Sequence, residues 1–77
     1  MNTYTAVRER LLQLLELKKI SIHKLSLESG VSPSTIKNIL YGKSTNPGVV
    51  TIKMLCDGLG VTLAEFFSTE SFLQSED

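Results

Sequence analysis

The chain has 77 residues, eight Lys and Arg against eight Asp and Glu, a formal net charge of zero, 42% hydrophobic residues and one cysteine. A chain of this length is expected to be one domain that buries only about 60% of its unfolded surface, with no room in these 77 residues for a separate ligand-binding domain. No run reaches the roughly 18 apolar residues of a membrane span, the N-terminus lacks a charged-then-apolar signal pattern, and a lone Cys56 makes neither an internal disulfide nor a multi-cysteine metal site, so the expected setting is the reducing cytoplasm.

Tyr4, Val7, Leu11, Leu14 and Leu15 recur at helical spacing and predict a first helix from Thr3 or Thr5 to Lys18 or Lys19, with the Lys18-Lys19 pair suited to a helix C-terminus. Leu12 and Leu17 fall off that stripe, making the helix apolar over a wider arc than one buried face needs. The next stretch, Ser21 to Gly42, reads as two short helices meeting at a sharp turn. Gly30 takes the positive φ that stops a helix, Ser32 is a good N-cap, and Pro33 fits the first helical position. Ile22, Leu25 and Ser26 share a face before the turn and Ile36, Ile39 and Leu40 share one after it, so the two stripes meet across the bend. Ser26 is small where a crossing helix must come close. The other face of the second of these helices presents Pro33, Ser34, Lys37, Asn38 and Tyr41, a polar, short-chained strip without acids.

The run KSTNPGVV is a loop in which Pro47 holds Asn46 extended. Val49, Ile52, Leu55, Cys56 and Leu59 then predict a fourth helix of about three turns, ended by Gly58 or Gly60. A fifth opens at Thr62 with the capping box that Glu65 completes, anchored by Phe66 and Phe67. Beyond Ser68 the residues are polar and acidic apart from Phe72 and Leu73, and the end frays unless something holds those two. The expected fold is therefore all-α, a compact bundle of five short helices with a central helix-turn-helix, comprising a domain over residues 1–68 and an acidic tail over 69–77.

A net charge of zero taken alone argues against nucleic acid, but the distribution is polarised. Residues 1–56 hold all eight basic residues against Glu9, Glu16 and Glu28, while 57–77 hold five acids and no base. Between Glu28 and Asp57 there is no acid, and Lys37, Lys43 and Lys53 fall in that window, where phosphate can approach without meeting a carboxylate from this segment. No catalytic set is present: the lone His23 has no partner at a recognisable spacing and reads as a surface residue, Cys56 reads as a small core residue, and the serines suit caps. Nothing calls for a metal, cofactor or small-molecule ligand.

These pieces together resemble the phage-repressor (Cro/cI, XRE-type) helix-turn-helix family. The resemblance covers roughly residues 5–67 and rests on Leu25, Ser26, Gly30-Val31-Ser32, Ser34-Thr35-Ile36, Ile39, Gly42-Lys43, Asn46-Pro47, Leu59-Gly60-Val61-Thr62-Leu63 and Glu65-Phe66-Phe67 in order. The chain departs from the family at Ile22, where a phosphate-gripping Gln is usual, and at Leu15 and Leu40, where an Arg–Glu pair is common; an apolar contact between the leucines is the expected replacement.

The resemblance implies a lambda-repressor-like DNA-binding domain that acts as a sequence-specific transcriptional regulator, a repressor, with the helix at about 33–41 in the major groove of double-stranded DNA. Pro33, Ser34, Lys37 and Asn38 are then the base contacts. Thr35, Tyr41, Lys43, Ser44 and Asn46 serve phosphates, with the free backbone N–H groups at Ile22 and His23. One module reads few base pairs, so a homodimer is expected, with Val61, Phe67, Phe72 and Leu73 as its interface. The competing expectation is a protein-interaction module on the same fold that has lost DNA binding, presenting the leucine-rich first helix or the Phe72-Leu73 tail; neutral net charge and Ile22 favour it, and the polar strip opposes it.

Overall fold

The computed structural model describes all 77 residues, and the helix boundaries in it follow from residues that cap or break. Six helices and no strand are present: α1 (Thr3–Lys18), α2 (Ile22–Ser29), α3 (Pro33–Leu40), α4 (Val49–Leu59), α5 (Leu63–Phe66) and α6 (Glu70–Gln74). Side-chain oxygens of Asn2, Ser21, Ser32 and Thr62 accept the N–H groups of Thr5, Lys24, Thr35 and Glu65, so four helices start on an acceptor three residues ahead of the donor. The capping box is complete, since Glu65 also accepts the Thr62 N–H at 3.1 Å.

Three helices stop on left-handed residues, Gly30 and Gly60 at φ 75° and Lys19 at φ 52°. The glycines take that conformation freely, whereas Lys19 carries a Cβ into it. Gly58, the other candidate terminator, lies inside α4. A Cβ built there would sit 2.8 Å from the Ser29 Cβ and 3.0 Å from the Ser29 backbone. Gly58 is therefore the notch that lets α2 and α4, the most extensively joined helix pair, come together. Ser29 is the residue that Gly58 faces, and Ser26, one turn earlier, is half-buried.

The core is wholly apolar: Val7, Leu11, Leu14, Leu25, Val31, Ile36, Ile39, Leu40, Ile52, Leu55, Cys56, Leu59 and Phe66 form one cluster, and no polar side chain is buried. Both stripes of the helix-turn-helix meet in it, and buried Val31 plugs the turn between them. Ile22, Leu15 and Tyr4 pack against it from the rim. Leu12 and Leu17 stay exposed, as the wider apolar arc of α1 requires, and Val49 is 70% exposed instead of continuing the α4 stripe. Burial pushes the Cys56 thiol up, with the neighbouring Asp57 charge adding to it, as suits a core residue.

The tail does not fray. Phe72 sets its ring edge-on to Phe67 at 4.9 Å between centroids and 6.2 Å from Phe66, which adds a sixth helix to the five expected. Beyond it, the Asp77 carboxylate accepts the Thr3 N–H at 3.1 Å and the Thr3 hydroxyl at 2.6 Å. Ser75 meets the same hydroxyl at 3.0 Å, and the Glu76 N–H donates to the Met1 carbonyl at 3.0 Å. The first turn of α1 holds no acid of its own, so Asp77 supplies the negative charge its N-terminus favours. Those bonds hold the Asp77 carboxyl below its ordinary value.

Candidate nucleic-acid interface

Helix α3 is amphipathic by its sequence: Ile36, Ile39 and Leu40 are buried, which forces Pro33, Ser34, Lys37 and Asn38 outward. All four are exposed, as is Tyr41, the C-cap of the helix, at 68%. None of the side chains on this strip is held by a hydrogen bond or ion pair to the rest of the molecule, so their donors and acceptors point to solvent. Its charge is also unopposed. The two ion pairs present are Lys24–Glu28 at 3.0 Å and Lys53–Asp57, both on exposed surface. Lys53, counted in the acid-free window, is thus matched by the acid that ends it, and Lys37 and Lys43 are the two lysines there without a carboxylate partner.

The residues around the strip divide by what remains free on them. Ile22 turns its side chain to the core and His23 is exposed, and their N–H groups, at the first two positions of α2, have no acceptor in the molecule. A helix N-terminus with bare N–H groups attracts anions. Thr35 is half-buried and its hydroxyl meets that of Ser32 at 2.9 Å. Lys43 and Asn46 are exposed and Ser44 is half-buried. The Lys43 and Ser44 N–H groups both donate to the Asn38 carbonyl, at 3.0 and 2.9 Å, around Gly42 at φ 86°. Contacts from those two residues must therefore use side chains, because their amides close the end of α3.

Sequence reasoning missed two features here. The N–H groups of Val49, Val50 and Thr51 open α4 without a side-chain cap at Gly48, a second helix start with bare N–H groups that the glycine at the N-cap position signals weakly. The second is a set of cations from α1. The Arg8 Nε donates to the Leu40 carbonyl at 2.6 Å, and Arg10 donates to the Phe66 and Glu65 carbonyls at 2.9 and 2.7 Å. Two of the three basic residues of α1 are thus turned to helix ends rather than offered to solvent. A cleft of about 810 Å³ lies between the start of α1, the 45–49 loop, Ile52 and Phe67, with Asp77 on its wall.

At the other end of the chain, Val61 and Phe72 are half-buried against the core, Phe67 is 39% exposed and Leu73 is 86% exposed. No cluster of His, Cys, Asp and Glu is placed to hold a metal ion, and no helix is long and apolar enough to cross a membrane.

A family model for the Cro/C1-type HTH DNA-binding domain matches residues 10–71. The HTH-type transcriptional regulator SlrR of Bacillus subtilis (strain 168) is 38% identical over 65 residues, which make up 83% of this chain and 43% of that protein. The chain thus spans less than half the length of this curated relative. No solved structure matches it.

Proposed function

The chain belongs to the Cro/C1-type helix-turn-helix family of DNA-binding domains, and on that footing we propose that it is a sequence-specific transcriptional regulator, acting as a repressor in the cytoplasm. The family is one of DNA-binding domains, not of enzymes. The observation that carries the reading is the α3 strip: exposed, free of acids, with the side chains of Lys37 and Asn38 unengaged by any neighbour. In this reading α3 enters the major groove and α2 crosses the backbone. Asn38 matches an adenine with two bonds, Lys37 and Ser34 take further base edges, and Pro33 meets a thymine methyl. Tyr41, Lys43, Ser44, Asn46 and Thr35 serve phosphates with their side chains, and Ile22 and His23 with the bare N–H groups of α2.

The proposed unit on DNA is a homodimer through the late apolar residues, with Leu73 and Phe67 contributing most because Val61 and Phe72 are largely used within the chain. Sedimentation giving only monomer at tens of micromolar counts against it. The reading as a whole is tested by fluorescence anisotropy against random duplexes at low and moderate salt. A complex that weakens steeply with salt is the expected result. No complex at low salt overturns DNA binding and leaves the protein-interaction module.

A further inference from the structure

Helix α3 has only eight residues, so its last turn is half of it. The four carbonyls of that turn lack intrahelical partners, as at any helix end. Two are closed locally: Lys37 by the Tyr41 N–H at 2.8 Å, and Asn38 by the N–H groups of Lys43 and Ser44. The other two are closed from α1. The Tyr4 hydroxyl donates to the Ile39 carbonyl at 2.5 Å, 35 residues away in the chain, and the Arg8 Nε donates to the Leu40 carbonyl, 32 residues away. Tyr4 and Arg8 are four residues apart, hence on one face of α1. Ile39 and Leu40 are consecutive, so their carbonyls differ by about 100° around the α3 axis.

We propose that Tyr4 and Arg8 are positioning residues for the recognition helix, a two-point clamp that sets the rotation of α3 about its own axis and so the direction in which Ser34, Lys37 and Asn38 face. This inference rests on the DNA-binding reading. The buried Ile36–Ile39–Leu40 face settles which side of α3 looks outward; two bonds at different azimuths narrow the rotation that remains about that setting, which one bond alone would not. The guanidinium also places a positive charge against the negative end of the α3 dipole. The loop carrying Lys43, Ser44 and Asn46 leaves from the same turn, so the clamp orients the phosphate-facing side chains as well. Gly42 completes the arrangement by turning the chain at φ 86° next to the Tyr4 hydroxyl, which lies 3.9 Å from where a Cβ would stand.

The test uses the full chain as wild type, Tyr4→Phe, Arg8→Lys and the double variant Tyr4→Phe/Arg8→Met. Duplexes bound by wild type are selected from a random pool, and the affinity of each protein for a selected and for a random duplex is measured. Tyr4→Phe, which removes one oxygen, is expected to lower the selected-to-random ratio about threefold and the double variant about tenfold, in keeping with one and two hydrogen bonds. Arg8→Lys, which keeps the charge and a donor, is expected to stay near wild type. An unchanged ratio in the double variant, or equal loss on both duplexes as partial unfolding produces, overturns the clamp. If the double variant does not fold, Tyr4→Phe decides by the same ratio. Wild type that retains no duplex removes the DNA reading itself, an outcome distinct from a wild-type site that the variants read equally well.

Discussion

Replacing Gly58 by Ala sets two effects of opposite sign against each other. Gly58 lies inside α4, where exchanging glycine for alanine normally stabilises a helix by about 1 kcal/mol. The new methyl, however, would stand 2.8 Å from the Ser29 Cβ and 3.0 Å from its Cα and N, against the roughly 3.5–4.0 Å of a good carbon contact. Two of those three atoms are backbone, so no rotamer change relieves them, and α2 must retreat from α4 by more than half an ångström. Contacts along the seam then lose about a quarter to a half of their attraction, and overpacking of this kind costs about 1–3 kcal/mol. With the clash on backbone, the upper part of that range applies, and a net destabilisation of about 1–2 kcal/mol remains. For a domain of this size that lowers the melting temperature by roughly 5–15 °C. Thermal and urea unfolding followed by circular dichroism measure it. A melting temperature equal to wild type or above it would refute the argument that Gly58 is there for the crossing.

Lys19 holds a left-handed conformation at φ 52° that costs an ordinary residue about 1–2 kcal/mol, part of which glycine returns as unfolded-chain entropy. Lys19→Gly is accordingly expected to raise stability by about 0.5–1 kcal/mol in the same unfolding assay. In DNA binding, Asn38→Ala is expected to cost about 1–3 kcal/mol at the selected site and to relax one base position, while Lys43→Ala weakens all sequences alike and lowers the salt slope by about one. Asp77 carries a pH dependence whose sign follows from its lowered pKa. A depressed carboxyl stabilises the fold above its ordinary value of 3.8 and loses that contribution as pH falls through the lower folded value. The Thr3 amide resonance in NMR should therefore hold its folded position down to that range and move below it, and in Asp77→Asn this titration should be absent.

What was legible in advance was local. Ser32 and Pro33, Thr62 and Glu65, and Gly30 each signal through partners within four residues, and the structure uses them as those distances require. The α3 strip was legible for the same reason, since a buried Ile36–Ile39–Leu40 face leaves the other side no choice. Tyr4 and Arg8 were not, because their acceptors are backbone carbonyls more than 30 residues away, and any residue supplies a carbonyl. Gly58 and Gly60 look alike as letters two residues apart. Only the crossing of α2 separates the glycine that ends the helix from the one that makes room. The last helix was missed because Phe72 gains its place from Phe66 and Phe67, a contact that no periodicity within the tail itself reveals.

The outer surface of α3 is tied to nothing, and the interior beneath it is apolar throughout. Stability and the proposed reading of bases therefore draw on separate residues. Exchanges at Ser34, Lys37 and Asn38 change what a groove would meet while leaving the fold within about 0.5 kcal/mol of where it started, as surface substitutions usually do. A duplicated copy of such a chain can acquire a new target by a few surface changes, without first passing through an unstable intermediate.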